Sequence, residues 1–142
     1  MADNVRLEVQ LTNIGSQTLY VYDDICWNLG NFLTIHVLTP DGKEVSGKMD
    51  SWRDCLPPPP HRDDLSRFTR LEPQRFYGLI ENFTLQELVP GPGQYEIVVH
   101  YEPALTTDWI DKYGGPEIVK LPIWTRDEPM LISNRIRITV RA

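Results

Sequence analysis

The stretch VPGPGQYEIVVHY, Val89–Tyr101, decides the fold. Pro90 and Pro92 fix φ and donate no amide hydrogen. Gly91 and Gly93 tolerate the positive φ values that sharp turns demand. The chain must corner here. Beyond the corner the period becomes two. Tyr95, Ile97, Val99 and Tyr101 fall on one face, and Gln94, Glu96, Val98 and His100 on the other. Alternation over eight residues, rich in β-branched and aromatic types, predicts a strand with one buried face. The proline-glycine brake before it predicts the last corner before a central strand.

The same signals recur outward from this strand. Val5, Leu7, Val9 and Leu11 alternate with polar residues until TNIGSQ breaks the run, and TLYVYDD follows as a second short strand. FLTIHVLTPDGKEV reads as a hairpin with Pro40-Asp41-Gly42 at its turn. LSRFTRL and RFYGLI form another pair around Glu72-Pro73-Gln74, and Ile136, Ile138 and Val140 face inward in the closing strand. Helical periodicity is nearly absent; Thr84 followed by Glu87 resembles a capping box and predicts a single turn. Twelve prolines among 142 residues suit many turns and disfavour long helices. The expectation is a single all-β domain over residues 1–142, an antiparallel sandwich of seven to eight strands.

Two long segments interrupt the strands. Lys48–Asp64 holds Trp52, Cys55, the run Pro57–Pro60 and His61; Pro103–Ile132 holds Trp109, Tyr113, Gly114-Gly115 and Trp124. The second carries too many apolar groups to be a disordered tether. It is expected to fold over an edge or end of the sandwich, with a short extra strand at Glu117–Ile123 and an exposed tip at Gly114, Gly115 and Pro116.

Composition narrows the function. Lys plus Arg is 14 against 20 for Asp plus Glu, a net charge of −6. That balance argues against nucleic acid as partner, because phosphate binding needs a basic face. No apolar run reaches the length of a membrane span, so no membrane insertion is expected. Met1–Asn4 is polar and without a signal peptide, as expected of a cytoplasmic protein or of one whose leader has been removed.

LEVQLTNIGSQTLYVY, LTIHVLTPDGKEV, FTRLEPQRFYGLI, VPGPGQYEIVVHY and SNRIRITV together resemble bacterial immunoglobulin-like modules. The chain is most similar there to the intracellular proteinase-inhibitor family and to related accessory domains of secreted proteins. The resemblance covers most of the chain outside the two long segments. It implies an immunoglobulin-like or fibronectin-III-like sandwich, in which Gly93-Gln94-Tyr95 resembles the tyrosine corner. Gln74 stands where the pattern has glycine after proline. These motifs are turn chemistry and specify fold better than function.

His36 and His100 lie on outward faces of strands that can be neighbours, and with a carboxylate they could bind zinc or copper; two solvated surface histidines are the plainer reading. Cys26 and Cys55 are either a bridge, adding roughly 3–4 kcal/mol in the chain-entropy model, or two thiols packed as small hydrophobes. No CxxC is present, and no Gly-x-Ser-x-Gly elbow or phosphate-cradling loop suggests catalysis. Asp23-Asp24 and Asp63-Asp64 offer calcium oxygens without EF-hand spacing. Pro57–Pro60 should form polyproline II, as a stiff spacer or a docking element. Tryptophans in loops are hot-spot material, or caps on the open ends of the core. The leading expectation is a non-catalytic module, without cofactor, that binds another protein through Trp109, Tyr113, Trp124, Trp52, Pro58 and His61. The alternatives are a proteinase inhibitor presenting Pro57–His61, or a metal-binding protein or metal-dependent enzyme using His36 and His100.

Overall fold

A computed structural model describes residues 4–23, 33–45 and 62–142. Cys26, Trp27, Trp52, Cys55, Pro57–Pro60 and His61 lie outside them, so the expected bridge and the inhibitor loop do too. The described strands are β1 Asn4–Thr12, β2 Leu19–Tyr22, β3 Leu33–Leu38, β4 Glu44–Val45, β5 Phe68–Leu71, β6 Phe76–Thr84, β7 Gly93–Tyr101, β8 Leu131–Ile132 and β9 Ile136–Val140. All strand–strand pairings are antiparallel.

β1 pairs with β6 from Asn4 opposite Thr84 to Thr12 opposite Phe76, and β2 pairs with β5. The two ladders are joined at Asn13, whose N–H donates to the Arg75 carbonyl while its own carbonyl accepts from Gln74. Arg75 N–H in turn closes a turn on Glu72, and Gln74 sits at φ 62°. This is a proline-led turn with a left-handed third residue feeding a G1 bulge. Asn13 is buried and its side-chain amide donates to the Leu71 and Gln17 carbonyls, which ties off the excursion of residues 14–18.

A five-stranded sheet runs β4-β3-β7, and β8 and β9 both pair with β7. Three residues, Ser133–Arg135, separate β8 from β9 opposite only Val98 and Val99. Ser133 fills the break: its N–H donates to Val99 and its hydroxyl accepts the Val99 N–H. The inward face of the Val89–Tyr101 reading holds, but Val98, placed on the outward face, is buried as well, so β7 is not open along its whole outer side. Tyr95, Ile97, Val99 and Tyr101 are buried in the main core with Leu7, Val21, Leu33, Ile35, Val37, Leu71 and Phe83. The Tyr95 hydroxyl donates to the Gly91 carbonyl at 3.0 Å, so the residue that opens the strand also pins the corner before it.

The helical turn at Thr84 is present as α1, Leu85–Leu88, with the Glu87 carboxylate accepting from the Thr84 N–H at 2.6 Å. A second helix, α2 at Thr107–Tyr113, was not expected. Among the described residues no helix is long and apolar enough to cross a membrane.

Candidate functional site

Segment 103–132 builds a second core. Leu105, Ile110 and Ile118 are buried against Tyr22 and Phe68, with Trp109 and Ile123 partly buried around them. α2 starts where Thr106 accepts the Trp109 N–H through its hydroxyl at 3.2 Å. Seven residues give too short an apolar stripe for periodicity to be read, because only Ile110 is fully buried. Polar clasps close the segment on itself. Asp127 accepts the Thr107 N–H at 2.6 Å, Arg126 Nε donates to the Pro103 carbonyl at 3.1 Å, and the Arg126 N–H donates to Leu105. The Thr107 hydrogen bonds hold the Asp127 carboxyl below the ordinary carboxylate range.

Two expectations for this segment are corrected. Glu117–Ile123 is not a strand: residues 116–120 form turns, and extended pairing shrinks to a parallel bridge between Tyr20 and Ile123. Ile118 and Val119 N–H both turn back onto the Gly115 carbonyl, which competes with any ladder. Gly114 and Gly115 are not an exposed tip either. Gly115 is buried, its N–H donates to the Arg62 carbonyl at 2.5 Å, and any Cβ there would overlap the Asp63 carboxylate and the Arg62 backbone. Glycine serves close approach at this point, not display.

The exposed end of the segment is the last turn of α2. Tyr113 is 50% exposed, its ring 5.6 Å from that of Trp109, with the Lys112 ammonium 5.1 Å above it. Val119, 44% exposed, and the charged residues Asp108, Asp111, Glu117 and Lys120 belong to the same segment. Trp124 has a different position. It packs on the main core and lines a mostly apolar cavity of about 320 Å³ with Leu11, Leu19, Val21, Leu71 and Leu131. Its indole N–H is buried without a partner among the described residues. Trp109 and Trp124 therefore both cap core, and among the described candidates Tyr113 is the solvent-facing aromatic.

The outer face of the β3–β7 pair carries the histidines. His36 lies opposite Val98 and His100 opposite Thr34, a diagonal relation that brings the two rings to 4.2 Å at 43°. His36 Nδ1 lies 2.8 Å from a Glu44 carboxylate oxygen supplied by β4. Burial first, then the neighbouring His36, holds His100 below the ordinary histidine value, and Glu44 opposes the shift. On the same face Glu96 accepts from Arg135 at 2.8 Å and Arg137 at 3.0 Å, contacts that hold its carboxyl below the usual range. Sequence reasoning found both histidines but not Glu44, which only the short pairing of β3 and β4 brings beside them. No group of three His, Cys, Asp or Glu among the described residues is arranged to hold a metal ion. Glu44 orients the His36 imidazole.

No family model matches the chain, and neither does any curated protein or solved structure.

Proposed function

We propose that the chain is a non-catalytic, immunoglobulin-like sandwich module that binds another protein through segment 103–132, with Tyr113 at the centre of the contact. The fold part of this reading is supported by the β1-β6 and β2-β5 ladders sharing one core with the β4-β3-β7-β8/β9 sheet, and by the Tyr95 hydroxyl bonding back to Gly91 as in a tyrosine corner. The binding part is carried by one observation. A long insertion spends its apolar groups on a second core yet leaves Tyr113 half in solvent, its ring tilted at 44° against Trp109 and flanked by charge. A rigid aromatic at the edge of a buried cluster, rimmed by polar groups, is how interface hot spots are built. Tyr113→Ala should lower partner affinity at least tenfold while leaving the thermal unfolding of the module unchanged. Unaltered affinity would remove Tyr113 from the interface.

A metal-binding role is the second reading, favoured by the His36–His100 contact and by Glu44 on His36 Nδ1. A carboxylate that fixes one ring nitrogen leaves the other to a metal. Two imidazoles leave most of a coordination sphere to water, so this reading ranks second. Calorimetric titration with zinc, copper and nickel tests it: saturable binding that His100→Gln abolishes would support it, and no heat above dilution would end it.

A further inference from the structure

We propose that β1 is a self-association edge: two copies of this chain pair antiparallel through it, about a two-fold axis at Leu7, with Arg6 of each copy facing Glu8 of the other.

β1 pairs with β6 along all nine of its residues, and no other described strand pairs with it. Asn13 spends its main-chain groups on Arg75 and Gln74. The alternation of an antiparallel ladder then turns Leu11, Val9, Leu7 and Val5 toward β6 as well. It leaves the N–H and C=O groups of Asn4, Arg6, Glu8, Gln10 and Thr12 pointing to the free side. Natural edges are usually blunted by charged side chains, lysine above all, by proline or by a bulge. β1, NVRLEVQLT, contains no lysine or proline, its register with β6 has no break, and its two exposed charges, Arg6 and Glu8, are of opposite sign.

The side chains choose the occupant. Arg6 and Glu8 are exposed and stand on the outer face, on either side of the buried Leu7. Two-fold pairing centred on Leu7 sets Arg6 against Glu8 twice, Val5 against Val9 and Asn4 against Gln10. The outward-pointing main-chain groups of Asn4, Arg6, Glu8 and Gln10 then oppose one another. Moving the axis to Glu8 would face that carboxylate with its own copy, and moving it to Arg6 would do the same for the guanidinium. Opposite charges directly across an antiparallel pair attract and like charges repel, so the sequence of β1 is complementary to itself in one register. A cavity of about 220 Å³ beside the edge, lined by Val9, Leu11, Leu33, Tyr101 and Ile132, lies on the same open side. Ile132 is 61% exposed there. A second copy would cover this gap and join the two β1-β6 ribbons into one four-stranded sheet.

Sedimentation velocity over a wide concentration range is the test, with the chain alone. The wild type should dimerise reversibly and more weakly as salt is raised, since exposed ion pairs are screened. Arg6→Glu and Glu8→Arg should each weaken the dimer roughly tenfold or more, with unfolding temperatures near wild type because both side chains are exposed. An equimolar mixture of the two variants should dimerise again, since one supplies two acids and the other two bases at the matched positions; the Arg6→Glu/Glu8→Arg double variant should also recover. A wild type that stays monomeric at the highest concentration would overturn the proposal, as would single variants that associate like wild type. Weakened singles whose mixture fails to recover would overturn the register about Leu7.

Discussion

Gln74 holds a left-handed backbone at φ 62°, where a side chain costs about 1–2 kcal/mol relative to glycine. Gln74→Gly is therefore predicted to stabilise the fold by up to about 1 kcal/mol, after the entropy that glycine restores to the unfolded chain is counted. Chemical denaturation checks it, and a destabilised variant would mean the Gln74 side chain does more than fill the turn. Gly78 is the opposite case. A Cβ there would overlap the Val9 carbonyl of the paired strand, and backbone cannot swing aside as a side chain can. Gly78→Ala should cost about 1–3 kcal/mol or more; an unchanged midpoint would show that the β1-β6 ribbon is looser than its register implies. His100 gives a pH signature. Its folded value lies below the ordinary 6.5, so the unfolded chain binds the proton more readily. Stability from this group is complete above that value and is lost as pH falls through it toward the lowered folded value. Proton NMR titration should place the His100 midpoint below 6.5, and a midpoint at or above it would mean that the ring is better solvated than its place beside His36 implies. At this scale much was legible. The sequence pattern marked Gln74 as standing in a glycine position and placed both histidines outward. It could not show Glu44 beside His36, because that meeting depends on the length of the β3–β4 turn.

Elements were legible where their period was long enough to be sampled. β7 offers eight alternating residues after a corner, and every inward residue of the pattern is buried. The Thr84–Glu87 box announced α1 through a specific side-chain exchange. α2 was missed because seven residues complete barely two turns and bury one of them fully. Its start depends instead on the Thr106 hydroxyl. Thr106→Ala should cost about 1 kcal/mol, the usual worth of such a cap, read as a shift in denaturation midpoint; no shift would mean that burial of Ile110 alone sets the helix. Extended structure expected at Glu117–Ile123 gave way to turns because Gly115, drawn in by the Arg62 carbonyl, bends the chain back and offers its own carbonyl to two amides. No local propensity reports a partner fifty residues away.

At the scale of the whole molecule, the antiparallel all-β architecture followed from turn chemistry and alternation, while the second core did not. Leu105, Ile110 and Ile118 were visible as apolar residues needing burial, but Tyr22 and Phe68, which receive them, belong to another part of the pattern. The candidate set divides by the same logic. Trp109 and Trp124, placed in loops by sequence, are drawn into core because large apolar area is costly to leave in water. The smaller, hydroxyl-bearing Tyr113 stays at the surface. The functional reading therefore rests on one side of the molecule, the end of α2. It is tested most directly by placing a photo-crosslinking amino acid at position 113 and, as a control, at the exposed Lys43 of the β3–β4 turn. Crosslinking in extract of the native host is then read by mass spectrometry. The account predicts one dominant protein adduct from position 113 that is absent from position 43 and is competed away by unlabelled wild-type module. The same adducts from both positions, or none from 113, would contradict it.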